Sequence, residues 1–178
     1  MTAAQALDET APQYSSRQFY WALGVVLTTA LLWWTGLPVT FGYDKQEQQC
    51  LPDLHLAMLV HYRPSPASIH GGDMVFFKSS DDILAYNKQD FVMKLVAGVP
   101  GDHLSIRNGE VRINGSVVVS GFPLAERFYN RKPETFEKDE IIPDGKFFLI
   151  GTHPLSEDSR YWGYLDGGRV MGKGYKVY

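Results

Sequence analysis

FVMKLVAGVPGDHLSI, residues 91–106, opens with a strand that carries a lysine at its centre. β-branched, aromatic and other apolar residues dominate Phe91–Ala97, as they do in strands. Strand side chains alternate between faces, so the same-face neighbours of Lys94 are Val92 and Val96. A lysine on an apolar face is rare, because burying an ammonium costs several kcal/mol unless it is paired or neutralised. Two readings stay open on the strand alone. Lys94 is either an edge lysine that discourages aggregation or a buried amine suited to general-base work.

The neighbouring sequence continues the strand pattern. Asp73–Lys78, Leu104–Arg107, Val111–Asn114, Val117–Val119, Lys146–Gly151 and Arg169–Met171 are short apolar runs bounded by turn residues. Asn108-Gly109 and Asn114-Gly115 are hairpin signals, because both residue types tolerate positive φ. They predict a three-stranded meander over Leu104–Val119. Leu54–Tyr62 fits a helix or a strand equally well. Phe122–Asp144 is charge-rich and poor in aliphatics, and reads as a surface flap. The fold class is therefore mostly β, one domain over residues 44–178 with a small flap or cap insertion at 122–144.

Upstream the composition changes. Between Arg17 and Asp44 no residue carries a formal charge, and the run is greasiest from Phe19 to Trp34. About 20 residues of helix cover roughly 30 Å, the thickness of a bilayer core. Phe19, Tyr20, Trp21, Trp33 and Trp34 mark its two ends like an interfacial belt. Residues 19–39 are expected to form an uncleaved transmembrane anchor, preceded by a disordered tail, residues 1–18. A cleaved leader would have a basic start and a small-residue cleavage site, which this segment lacks.

Composition excludes several functions. With 17 Lys+Arg against 20 Asp+Glu the chain has net charge −3, so no basic excess exists for nucleic acid. Cys50 is the single cysteine, which rules out an internal disulfide and any multi-cysteine metal site. The histidines His55, His61, His70, His103 and His153 show no metal-ligand spacing. Gly71-Gly72 and Gly167-Gly168 read as turns rather than phosphate loops. No metal or cofactor is implied.

Three segments in order carry a resemblance. Lys94 followed by Gly98, Val99, Pro100, Gly101 and Asp102 resembles the lysine box of the type I signal peptidases. Gly72-Asp73-Met74-Val75 resembles the strand upstream of that box. Ser156-Glu157-Asp158-Ser159-Arg160, followed by Tyr161-Trp162-Gly163, resembles the C-terminal box. Within the clan the chain looks most like the conjugative-transfer branch, which processes pilin precursors. That branch places a serine before a hydrophobic residue and a proline, shortly after the anchor. The matching position here is Cys50-Leu51-Pro52, so cysteine stands where the pattern has serine. An alternative register uses Ser65 or Ser68, although neither has the expected downstream proline. The lead-in to the last box also departs from the pattern, being Gly151-Thr152-His153-Pro154.

The resemblance implies a membrane-bound endopeptidase with Cys50 as nucleophile and Lys94 as general base. It implies that Ser156 orients the lysine and that Asp158 and Arg160 form a structural ion pair nearby. Without the pattern, those two charges would read as a surface pair worth little. The implied substrate is a pilin or secreted-protein precursor, cut to a linear or cyclic product. The implied location is the bacterial inner membrane, single-pass, with the catalytic domain periplasmic. Implied partners are the lipid bilayer and conjugation-apparatus proteins. The rival reading is a catalytically degenerate scaffold that binds pilin or assembly proteins without cutting them.

Overall fold

The computed structural model describes residues 16–36, 38–43, 51, 54, 56–80, 82–83 and 91–177. The chain divides into two units after Pro38. The first holds one helix, α1, Ser16–Trp34. Its 19 residues rise about 28 Å at 1.5 Å each. Gly36 then takes φ 64°, a left-handed conformation that stops the helix. The expected span 19–39 is thus helical only to Trp34, and Val39 already begins a strand. Apolar side chains stand exposed along α1, Trp21 at 70% and Trp34 at 88%. Among the described residues no helix is long and apolar enough to cross a membrane. Ser16, Arg17, Thr28 and Thr29 dilute its hydropathy, and Thr28 turns its hydroxyl back onto the Gly24 carbonyl at 2.7 Å.

The second unit is built from two antiparallel sheets. The first half of its strands are β1 Val39–Tyr43, β2 Leu56–His61, β3 Met74–Lys78, β4 Phe91–Gly98, β5 His103–Arg107 and β6 Glu110–Ile113. Then come β7 Ser116–Ser120, β8 Lys138–Ile141, β9 Lys146–Ile150, β10 Leu165–Asp166 and β11 Val170–Lys176. Two short helices, α2 Ala125–Tyr129 and α3 Ser159–Trp162, sit between strands. The larger sheet has the order β1-β2-β11-β3-β4-β9-β10 and the smaller β7-β6-β5-β8. Leu54–Tyr62, open between helix and strand, contributes β2.

The meander forms where the Asn-Gly pairs predict it. Asn108 and Gly109 take φ 52° and 74°, and Asn114 and Gly115 take 50° and 83°. Two positive φ values in succession are what a two-residue hairpin of the right twist needs. The sheets join at Gly98, the last residue of β4. A Cβ there would lie 2.5 Å from Ile142 Cδ1 and 2.9 Å from Ile113 Cδ1, so a larger residue would have to displace these two side chains of the second core.

Residues 122–144 do more than lie on the surface. Their charges point outward, but Phe122, Leu124, Ala125, Phe136 and Ile142 are buried in the same core as Leu104, Ile106 and Tyr161. Phe122 stacks on Phe136 with ring centroids 5.6 Å apart. β8 closes the smaller sheet by pairing with β5. Aromatic area replaces the missing aliphatics, which is why the stretch looked polar in sequence.

Candidate active site

β4 alternates in burial, with Val92, Lys94, Val96 and Gly98 inward. Lys94 is fully buried. β4 lies between β3 and β9, so the edge-lysine reading does not apply. Val92 and Val96 belong to an apolar cluster with Val75, Phe77, Phe147 and Leu149. An amine in such a setting needs a polar partner, and Lys94 Nζ donates to Ser156 Oγ at 2.8 Å.

Ser156 is held by the segment that carries it. Its N–H donates to the His153 carbonyl at 2.9 Å. Arg160 Nη2 donates to its carbonyl at 3.2 Å. Arg160 also donates from Nε to Asp158 Oδ1 at 2.8 Å and from Nη2 to Asp158 Oδ2 at 2.9 Å. Both charged side chains are fully buried, so this is an interior pair and the surface alternative falls away. Burial pulls the guanidinium pKa down, but Asp158 outweighs it and holds it above the ordinary value. Arg160 Nη1 reaches the Gly121 carbonyl at 2.8 Å, tying the box to the start of the 122–144 stretch. The Gly151 N–H donates to Asp158 Oδ2 at 3.1 Å, and the Leu149 N–H to Ser159 Oγ at 2.8 Å. The box is therefore stitched to β9, the strand next to β4. Sequence reasoning assigned Ser159 no role, although it stands inside the box.

The other two motifs shape the turns at the end of β4. Asp102 accepts the Val99 N–H at 2.9 Å and Asn114 Nδ2 at 2.7 Å, which fixes the turn between the sheets. Gly72 and Asp73 bond the start of β3 to Val96, two residues beyond Lys94. Asp73 also accepts the His70 N–H at 2.8 Å.

Of the sequence-predicted residues, the structure brings together Lys94, Ser156, Asp158 and Arg160. Ser65 is exposed, and Ser68 turns its hydroxyl onto the Ser65 carbonyl at 2.8 Å. Cys50 lies outside the described residues. Glu157, buried beside Ser156, accepts from Tyr129 Oη at 2.7 Å and was not anticipated.

The structure thus sets a buried amine against a hydroxyl within a β-rich domain. Comparison with known proteins gives the family: the chain belongs to the signal peptidase, peptidase S26 family, matched over residues 16–178. A probable signal peptidase I-2 of Synechocystis is 28% identical over 105 residues, covering 58% of this chain and 45% of that protein. Signal peptidase I of Leptolyngbya laminosa is 28% identical, over 57% of this chain. The chain thus spans about half the length of these two relatives, 45% and 49%. Signal peptidase IB of Staphylococcus aureus is 24% identical over 175 residues, 86% of this chain and 85% of that protein. A solved signal peptidase I of Enterococcus faecalis is 27% identical, covering 60% of this chain and 96% of its own, with a TM-score of 0.38.

Proposed function

We propose that the chain is an endopeptidase of the signal peptidase I type that removes the leader of a membrane-proximal precursor. The hydrogen bond between Lys94 Nζ and Ser156 Oγ carries this reading. It holds an amine inside an apolar sheet, directed at one hydroxyl. Such an amine, once neutral, accepts a proton from a nucleophile brought to its free lone pair.

The nucleophile of this reading is Cys50. The segment carrying it joins Tyr43 of β1 to Leu56 of β2. Lys94 lies in register with Val75, Val75 with Lys173, and Lys173 with Val60 of β2. From Leu56, Lys94 is about 14 Å across the sheet and about 13 Å along it, a diagonal of about 19 Å. The Leu54 N–H donates to the Leu51 carbonyl at 2.9 Å, a turn that shortens this reach, so the assignment of Cys50 rests on the Cys50-Leu51-Pro52 pattern and not on chain length. Ser65 and Ser68 are less favoured, since the Ser68 hydroxyl is engaged within its own turn.

Cys50 Sγ attacks the scissile carbonyl, and its proton passes to Lys94. The backbone N–H of Cys50 and a neighbouring donor stabilise the oxyanion. Lys94 protonates the leaving amine, and the acyl-enzyme is then opened by water. A cation beside a thiol favours the thiolate. In that case the lysine begins with the proton that the leaving amine needs.

The finer reading places the enzyme in conjugative transfer, on a pilin precursor with small residues before the cut. There the acyl-enzyme is opened by water or by the pilin's own amine, which gives a cyclic product. α1, with its exposed tryptophans, anchors the enzyme at the bacterial inner membrane, and the β-rich unit faces the periplasm. The test is co-expression of the full chain with a pilin-type precursor, followed by mass spectrometry. The reading expects loss of the leader with wild type and none with Lys94→Ala. A further loss equal to one water marks cyclisation. Equal processing by Lys94→Ala would sink the proposal.

A further inference from the structure

A second lysine shares a row with Lys94. β11 pairs with β3 through Lys173 and Val75, and β3 pairs with β4 through Val75 and Lys94. Residues in register across neighbouring strands point to the same face, and two strand spacings amount to about 10 Å. Lys173 is mostly buried, and its Nζ makes two bonds. One goes to Asp73 Oδ2 at 2.6 Å and the other to the Ser68 carbonyl at 2.7 Å.

These bonds converge on one loop. Asp73 Oδ2 also accepts the His70 N–H. The Lys173–Asp73 pair therefore grips the backbone on both sides of Ile69. Ile69 is 3% exposed and belongs to the cluster of Val75, Val92 and Val96, the neighbours of Lys94. Residues 62–70 form no strand ladder, and their one regular feature is the 3-10 turn Pro66–Ser68. The loop covers the Lys94 face of the sheet and is pinned there by one ion pair.

We infer that Lys173 is a positioning residue that holds the 65–70 loop as a fixed wall beside Lys94, so that an extended substrate meets one preformed surface. This rests on the peptidase reading above. It separates binding from chemistry, because the Lys94–Ser156 pair is secured from β9 through Asp158, Ser159 and Arg160, on the other side of β4. Loosening the loop should weaken substrate binding while leaving the proton-transfer pair in place.

The experiment uses the full chain in detergent micelles and a fluorogenic peptide with alanine at the first and third positions before the cut. Lys173→Met keeps the stem and removes the charge; Lys173→Arg keeps the charge. The expected result is a KM at least about fivefold higher for Lys173→Met, with kcat within about twofold, and recovery of most of the difference by Lys173→Arg. Hydrogen exchange should speed up at residues 66–70 in Lys173→Met and stay unchanged around Ser156. A fall in kcat at constant KM overturns the inference, as does wild-type kinetics in Lys173→Met, with or without a lower Tm. Lys94→Ala runs alongside. If it still cleaves, the peptidase reading fails; if it is dead while Lys173→Met is normal, only the positioning role fails.

Discussion

Lys94 Nζ and Ser156 Oγ are joined by a buried 2.8 Å hydrogen bond that spans 62 positions of sequence. The donor comes from an interior strand, and the acceptor from a loop that begins beyond the next strand. The serine fixes where the amine points, which decides what it can reach. In the proposed role of general base, an amine so held contributes about 10²–10⁴-fold to rate.

Lys94→Ala should therefore lower kcat by at least about 100-fold in steady-state peptide cleavage. Ser156→Ala should lose about 10-fold or more in kcat with KM within about twofold, because it removes orientation and not binding. A Ser156→Ala enzyme running at full speed would remove the orienting role.

Arg160→Met leaves Asp158 as an uncompensated interior carboxylate. Breaking a buried pair in this way costs about 3–5 kcal/mol. A Tm lower by about 10 °C is expected in calorimetry. Arg160→Lys should not restore it, since one ammonium cannot serve Asp158, the Ser156 carbonyl and the Gly121 carbonyl together.

Acid stability should report on Asp73. Burial raises its pKa, but the bonds from Lys173 and the His70 amide outweigh this and hold it below the ordinary carboxylate value of 3.8. A carboxyl depressed on folding adds stability above its unfolded pKa, and that stability is lost as pH falls through the folded value. Lys173 is the converse. Burial lowers its pKa, Asp73 raises it further, and the net value lies above 10.5. Its contribution is complete below 10.5 and is lost as pH rises through the folded value. The pair therefore stabilises from about pH 4 to about pH 10. Urea melts of Asp73→Asn should show a smaller stability loss between pH 4 and pH 2 than wild type, by roughly the width of that shift. An unchanged acid limb would argue that Asp73 is not linked to folding.

Nucleophile identity is read through the single thiol. Iodoacetamide should abolish peptide cleavage by wild type, with one adduct by mass on Cys50. Cys50→Ala should be inactive, and Cys50→Ser should be insensitive to the reagent whatever its residual rate. Ser65→Ala and Ser68→Ala should keep kcat within about twofold. Full activity in Cys50→Ala would transfer the role to another residue.

The strands around the site were legible because their side chains alternate and their turns carry Asn-Gly pairs. β3, β4, β5, β6, β7 and β9 all lie on runs that the sequence marks. β8, KDEI, did not show, because it has one aliphatic residue and becomes a strand only through the free edge of β5. β10 is two residues long, too short for any period. Ser156, Asp158 and Arg160 were found by resemblance. Their spacing alone would have left Asp158 and Arg160 as a surface pair. Lys173 gave no signal, since its partners Asp73 and Ser68 lie about 100 residues away.

By itself the sequence determined the local content: a lysine on an apolar strand face, hairpin turns at two Asn-Gly pairs, an uncharged run before the domain, and three ordered motifs. Only the tertiary structure decided that β4 is interior, that Asp158 and Arg160 are buried, and that Lys173 stands in the row of Lys94. The reason is physical. Periodicity reports which side chains share a face of one strand, since that depends on neighbouring backbone. Strand order and burial depend on non-local pairing, here between segments as distant as β3 and β11, and no local window contains that information.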